Sequence, residues 1–403
     1  MSRDYGATFT RIVNGLRDGE PVRVVREDPV RKGLLYAGTE TGVYLSYNAG
    51  AQWLPLRGNF PVVPVTDLQV KHGDLIAATE GRAFWILDDL SVLRQHTDSL
   101  EQAKAHLYAP REAVLFAGSG GFGTPANAGK NPPNGATVYF RLASAPDSAT
   151  AVTLEFLDAR GTVVRSFATR DSTSRLAVKP GLNTLTWNLR RAMPARIGNV
   201  MLFGAPGDGG ARVSPGSYTV RLTVGPTVLS QPLTVKQDPR IDAPTAVIAE
   251  RDSVANLLAT RINEIHESVL RLRDVKTQVQ GYVTRARETT AADTIGKAGR
   301  ALTGKLDKMD PRLTTKAANG QDIINYANGI NGQYGFLLGQ VEGNTRLTQP
   351  VKERLAELEK VWAGIRAEVE AIEMVDVPAF NALLKANNVP GVISKVKGKG
   401  PIA

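Results

Sequence analysis

Four side chains could take part in hydrolytic chemistry: Glu40, Glu80, Arg82 and Asp88. Glu40 and Glu80 end two runs of similar sequence, Leu35-Tyr36-Ala37-Gly38-Thr39-Glu40 and Leu75-Ile76-Ala77-Ala78-Thr79-Glu80. Two carboxyl groups on one rim could share acid and base roles. Glycoside hydrolysis needs such a pair about 5–5.5 Å apart for retention, or about 6.5–9.5 Å apart for inversion. Arg82 could hold an anionic substrate, or pair with Asp88 or the adjacent Asp89. The plainer reading is that each glutamate caps the turn beside Thr39 or Thr79. No complete catalytic constellation is legible in the chain.

Other chemistries are excluded more firmly. The 403 residues contain no cysteine, which rules out a thiolate nucleophile, a Cys-ligated zinc and an iron–sulfur cluster. The four histidines, His72, His96, His106 and His266, fall at no metal-ligand spacing. Glu264, His266 and Glu267 sit together on a helical segment, where a solvated or capping role is expected. Gly118-Ser119-Gly120-Gly121-Phe122-Gly123 matches G-x-G-x-x-G, but a dinucleotide site needs a helix next and the stretch Thr124–Pro133 cannot be that helix. Gly129-Lys130-Asn131 fails as a phosphate loop for want of Ser or Thr. No cofactor and no metal are therefore expected. The net charge is +10, carried mainly by the middle of the chain and its end. No nucleic-acid-reading motif accompanies that charge, so no nucleic acid is expected as a partner. No apolar run is long enough to span a membrane.

The elements that must position these residues repeat. Ser2-Arg3-Asp4-Tyr5-Gly6-Ala7-Thr8-Phe9 reads S-x-D-x-G-x-T-F, and Ser46-Tyr47-Asn48-Ala49-Gly50-Ala51-Gln52-Trp53 reads S-x-N-x-G-x-Q-W. A period of about 40–45 residues with short alternating strands marks a β-propeller blade. Asp or Asn accepts hydrogen bonds within such a turn, Gly supplies a positive φ, and the closing aromatic is expected to pack inward. The octapeptides resemble the Asp-box (BNR) repeat of sialidase-like and sortilin-like propellers. Together with Val22–Pro29, Leu35–Val43 and Phe84–Leu90, they are similar to the end of the propeller in large bacterial secreted proteins labelled glycosyl hydrolase or sortilin-domain. The resemblance implies a hairpin-stabilising role for Asp4 and Asn48. It also implies a sialidase-type site in which a Tyr–Glu pair replaces the carboxylate nucleophile and an arginine cluster binds the substrate carboxylate. Tyr36 and Tyr44 lie near Glu40, but the set is incomplete here.

Further along, strands recur at Thr137–Leu142, Val152–Leu157, Thr162–Arg165, Gly181–Trp187, Pro215–Leu222 and Leu229–Val235. This density of strands predicts a β-sandwich, and their order resembles a fibronectin III/immunoglobulin-like fold with Trp187 and Tyr218 in its core. Arg190 and Arg191 are expected in a solvated loop. Three apolar seams follow at coiled-coil spacing. They run over Val254–Leu272, Ile323–Val341 and Val351–Ile372, and predict an antiparallel three-helix bundle with Thr289–Asp310 as a link. Gly329, Gly332, Gly335 and Gly339 in the middle seam imply close helix approach. The expected fold class is thus multidomain β plus α. Its expected parts are 1–109 as the last propeller blades, 110–136 as a Gly/Pro-rich linker, 137–243 as the sandwich and 244–403 as the bundle with a basic tail.

Two blades cannot close a propeller. The chain is therefore expected to be the C-terminal portion of a longer, exported protein, secreted or periplasmic. The expected role is non-catalytic: binding a glycan or protein ligand and bracing the propeller. The alternatives are part of a sialidase-like glycosidase whose site lies mostly upstream, and an accessory subunit of a larger assembly.

Overall fold

The computed structural model describes residues 1–116, 129, 131–147, 150–198, 200, 210–287, 290–315 and 329–389. The G-x-G-x-x-G stretch, Lys130, the first residues of the middle seam and the basic tail lie outside them. The chain combines several β-sheets with long helices and divides into two compact units. One unit comprises Met1–Trp187 and Gly216–Lys236; the other comprises Asn188–Pro215 and Gln237–Ala403.

The first unit begins with a four-stranded antiparallel sheet of β1 (Val22–Glu27), β2 (Leu35–Thr39), β3 (Val43–Ser46) and β4 (Leu54–Leu56), in sequential order. A three-stranded antiparallel sheet follows: β5 (Val65–Lys71), β6 (Asp74–Thr79) and β7 (Phe84–Leu87). Alternation along the strands gives each sheet an apolar face. Leu34, Tyr36, Val43 and Leu45 of the first meet Val65, Leu68, Leu75 and Ala77 of the second in one buried cluster. Gly38 permits the approach, since a Cβ there would lie 2.7 Å from Val24 Cγ1 and 2.8 Å from Val65 Cγ1. Asp28, only 3% exposed, anchors the cluster's edge. It accepts hydrogen bonds from the Val30 and Arg31 amides at 2.8 and 2.9 Å, from Arg94 Nε at 3.0 Å and from the Tyr36 hydroxyl at 3.3 Å.

Two short helices, α1 (Ser91–Gln95) and α2 (Asp98–Gln102), lead to two further sheets. The strands are β8 (Ala105–Leu107), β9 (Ala113–Leu115), β10 (Ala136–Leu142), β11 (Val152–Leu157), β12 (Val163–Ala168), β13 (Gly181–Trp187), β14 (Gly216–Val224) and β15 (Thr227–Gln237). One sheet has the order β13-β10-β8 and the other β12-β11-β14-β15-β9. Trp187 of the first is fully buried. It stacks on Phe156 of the second at 4.3 Å between centroids and meets Tyr218 edge-on at 5.7 Å. The stretch 110–136, expected as linker, thus contains a strand: Ala113 and Leu115 are buried, and β9 extends the sheet beyond β15.

The second unit is built on α3 (Thr245–Ala286), α4 (Ala292–Leu313), α5 (Ile330–Gly343), α6 (Gln349–Ala371) and α7 (Val377–Ala386), with a π-helical turn at Ile372–Asp376. The described residues therefore hold more helices than the three expected. The stretch Thr289–Asp310, expected as a link, is mostly α4. Its apolar residues Ile295, Leu302, Leu306 and Met309 are buried on one face, which a link would not provide. A Cβ on Gly299 of α4 would lie 2.2 Å from Val283 of α3, so close approach between these helices depends on that glycine. Gly329, at the start of α5, is packed against Thr314 in the same manner.

Two polar expectations fail in this unit. His266 is buried rather than solvated: its Nδ1 lies 2.7 Å from the Ala195 carbonyl and its Nε2 lies 3.3 Å from Asn331 Nδ2. Arg190 is not in a solvated loop, because its guanidinium pairs with Glu342 at 2.8 Å and both side chains are mostly buried. Glu342 also accepts the Arg212 amide at 2.8 Å. These partners lie between 65 and 152 residues away in sequence, so local patterning gives no sign of them.

Candidate binding site

The two octapeptides form the same turn. The Gly6 amide donates to Ser2 Oγ at 2.7 Å and the Thr8 amide to Asp4 Oδ1 at 2.9 Å. The Gly50 amide donates to Ser46 Oγ at 2.9 Å and the Gln52 amide to Asn48 Oδ1 at 2.9 Å. Each turn has a left-handed pair, Tyr5-Gly6 at φ 56° and 92° and Ala49-Gly50 at φ 57° and 86°. Asn48 therefore forms the same backbone cap as Asp, through one oxygen, while Asp4 also accepts the Thr8 hydroxyl on its second oxygen at 2.6 Å. The Thr8 hydroxyl and amide, with the Ser2 hydroxyl, hold the Asp4 carboxyl down to about 2. The closing aromatics differ. Trp53 is buried and donates to the Ile12 carbonyl at 2.8 Å, whereas Phe9 is 78% exposed, contrary to the expected inward packing. Trp53 packs on Leu35 and Ala37 of β2 with Ile12 and Leu16 beside it, whereas the Ser2–Phe9 turn precedes the first strand.

Glu40 and Glu80 occupy corresponding turns, after β2 and after β6. Threonine closes both. The Thr39 hydroxyl donates to the Gly42 carbonyl at 3.0 Å and the Thr79 hydroxyl to the Ala83 carbonyl at 2.6 Å. Glu40 is committed to an ion pair with Arg23. Glu80 and Arg82 are exposed on the β6–β7 turn. Asp88 is exposed just past β7, and its carboxyl is pushed up by partial burial and by the negative charge of Asp74. The carboxylate that does cap the first turn is Glu20, nineteen residues before Thr39 and outside every motif read above. It accepts from the Thr39 and Thr41 hydroxyls, the Thr41 amide at 2.9 Å and the Tyr44 hydroxyl at 3.2 Å. Burial works against its charge, but these donors outweigh it and leave the carboxyl below its ordinary value.

Between the two sheets, beside β7, lies a small open groove of about 100 Å³. Val43 and Leu56 form one wall, Leu75, Trp85 and Leu87 the other, and Phe60 lies on the connecting loop. Trp85 meets Phe60 edge-on at 5.5 Å. None of Glu40, Glu80, Arg82 and Asp88 lines this groove. No cluster of three or more metal-ligating side chains occurs among the described residues. No helix among them is long and apolar enough to cross a membrane. The arrangement offers an apolar cleft beside a strand edge.

No protein-family model matches the chain, and no curated protein matches it either. Among solved structures, it is similar to the extracellular domain of a hybrid two-component system from B. thetaiotaomicron, at 9% identity and a TM-score of 0.16. That likeness covers 55% of this chain, and the chain spans 26% of the other, which is too slight to argue from.

Proposed function

We propose that this chain is the non-catalytic, ligand-binding C-terminal region of an exported protein of the Asp-box propeller type. Under this reading the sheets β1–β4 and β5–β7 are its last blades, the sheets around Trp187 form an immunoglobulin-like sandwich, and the helical unit is a supporting bundle. The observation that carries the reading is the recurrence of one hydrogen-bonded turn at Ser2–Phe9 and Ser46–Trp53, with the same left-handed pair in each. A non-catalytic role is supported by the carboxylates: Glu40 is paired with Arg23, and Glu80 and Asp88 do not line the apolar groove beside β7. Bracing is supported by the continuous apolar cluster between the two sheets.

The test is binding without consumption. The chain, immobilised, is exposed to glycan and protein ligands while the solution is assayed for released sugar. Retained ligand with no released sugar agrees with the proposal. Released sugar favours a glycosidase, and stable co-purification with a complex, without either signal, favours an assembly subunit.

A further inference from the structure

A line of hydrogen bonds with a single direction runs through the helical unit. The Thr315 amide, just past α4, donates to Asn331 Oδ1 at 3.0 Å. Asn331 Nδ2, at the start of α5, donates to His266 Nε2 of α3 at 3.3 Å. His266 Nδ1 donates to the Ala195 carbonyl at 2.7 Å. Thr315, Asn331 and His266 are all buried.

Both ends of this line are backbone groups, and they fix everything between them. An amide N–H only donates and a carbonyl only accepts. The Ala195 carbonyl therefore requires the ring proton on Nδ1, which leaves Nε2 bare. The Thr315 N–H requires Asn331 to turn its oxygen that way, which leaves its NH2 for Nε2. The line closes only while the ring is neutral. A proton on Nε2 sets N–H against NH2. Turning the Asn331 amide over cures that contact and moves the same conflict to Thr315. No orientation of the amide satisfies a charged ring, and a buried donor left without an acceptor is costly.

The two ends do not yield equally. Ala195 is held twice by α3, since its amide also donates to Asn263 Oδ1 at 2.9 Å. Charge on the ring strengthens the bond to the Ala195 carbonyl. At the other end, backbone meets backbone: a Cβ on Gly329 would lie 2.3 Å from the Thr314 carbonyl carbon, so this joint has little room to shift around a conflict.

The charged groups on the surrounding elements are engaged with one another. On α3, Glu264 pairs with Arg261 and Glu267 accepts from Asn263. Asp310 of α4 pairs with Arg273, and Arg312 with Glu368 of α6. Glu359 of α6 takes Arg261 and the Tyr334 hydroxyl of α5, Glu342 of α5 takes Arg190, and Glu373 takes Arg271. Arg191 and Arg196, near Ala195 in sequence, carry the same sign as an imidazolium. Burial holds the ring below the usual histidine value, and neither ring nitrogen has an acidic partner to offset it.

We propose that this line is a proton-sensitive joint: uptake of a proton by His266 parts the start of α5 from Thr315 while Ala195 stays on α3. The joint lies within the helical unit and is independent of the binding role proposed above.

The full chain is followed between about pH 8 and about pH 5, by NMR of the histidine ring nitrogens and by hydrogen exchange corrected for the intrinsic effect of pH. At the upper end the His266 proton is expected on Nδ1 alone. As Nε2 gains a proton, protection at Thr315 and over α5 should fall about tenfold, the effect of one or two hydrogen bonds, while Ala195 keeps its protection. His266→Gln should hold protection at Thr315 and over α5 level across the same range. Asn331→Asp offers an oxygen to each neighbour, so it should raise the pH at which His266 titrates and keep the joint closed in acid. A ring that stays neutral throughout, or that carries its proton on Nε2 at the upper end, overturns the proposal. So does protonation with α5 unchanged, release of Ala195 first, or equal loosening of α5 in His266→Gln. Should either variant fail to fold, the tautomer and the order of release in the unaltered chain decide.

Discussion

Removing the Asp28 carboxylate tests how the first sheet is held. Asp28 is buried, and its two oxygens take the Val30 and Arg31 amides, the Arg94 guanidinium and the Tyr36 hydroxyl. Burial pushes the carboxyl up, but the Arg31 and Val30 amides and the Arg94 ion pair outweigh it, so its pKa lies below the ordinary value. Asp28→Ala leaves two amides and a largely buried guanidinium without their acceptor, a loss of about 3–5 kcal/mol by analogy with broken buried pairs. Asp28→Asn keeps one oxygen for the amides but turns the other acceptor into an NH2 donor facing Arg94 and the Tyr36 hydroxyl, a loss of about 1.5–3 kcal/mol. The folded pKa is depressed, so the carboxylate's contribution is complete above the unfolded value of about 3.9 and is lost as pH falls toward the folded value. Asp28→Asn should remove this acid sensitivity. A chain of two compact units need not melt in one step. The assay is therefore hydrogen exchange followed by mass spectrometry, reading peptides over Val22–Gln95 with α3 and α6 as internal reference. Unchanged protection over Val22–Gln95 in Asp28→Ala, to within about 0.5 kcal/mol, would refute the argument. So would an equal loss in the helices.

Other substitutions test the packing of each unit separately. Gly38→Ala should destabilise the paired sheets by about 1–3 kcal/mol, since the new methyl would overlap Val24 and Val65; exchange over β1–β6 reads it. Glu342→Ala should cost the helical unit about 3–5 kcal/mol by removing the carboxylate that pairs with the largely buried Arg190, and adding Arg190→Met should recover part of that loss in denaturant unfolding. His266 is held neutral by burial, with its pKa below the usual histidine value. Its contribution to stability is therefore complete above the unfolded value of about 6.5 and falls as pH drops below it, and His266→Gln should blunt that fall in a pH series of helix unfolding.

Much of the local structure was readable from alternation and spacing. The strands at Val152–Leu157 and Gly181–Trp187 and the buried seams of α3 and α6 lie where the apolar period places them, because burial on one face leaves a period in the sequence. The shared turn was readable because one side-chain oxygen and one left-handed pair suffice to form it. What sequence missed depends on distant partners. Arg190 looked solvated because Glu342 is remote in sequence, and His266 looked exposed because Ala195 and Asn331 approach it from other elements. Strand β9 escaped notice because three residues beside a Gly-rich stretch carry little period of their own. At the candidate site, Glu40, Glu80, Arg82 and Asp88 were singled out for their chemistry, yet the groove is apolar. Its lining comes from β3, β4, β6, β7 and the loop at 57–60, segments whose meeting no residue type announces.

The most direct measurement is the hydrolysis of aryl glycosides by the full chain and by the double variant Glu40→Gln, Glu80→Gln. A non-catalytic region predicts rates equal to the buffer blank for both proteins. Hydrolysis by the unaltered chain that disappears in the double variant would contradict it.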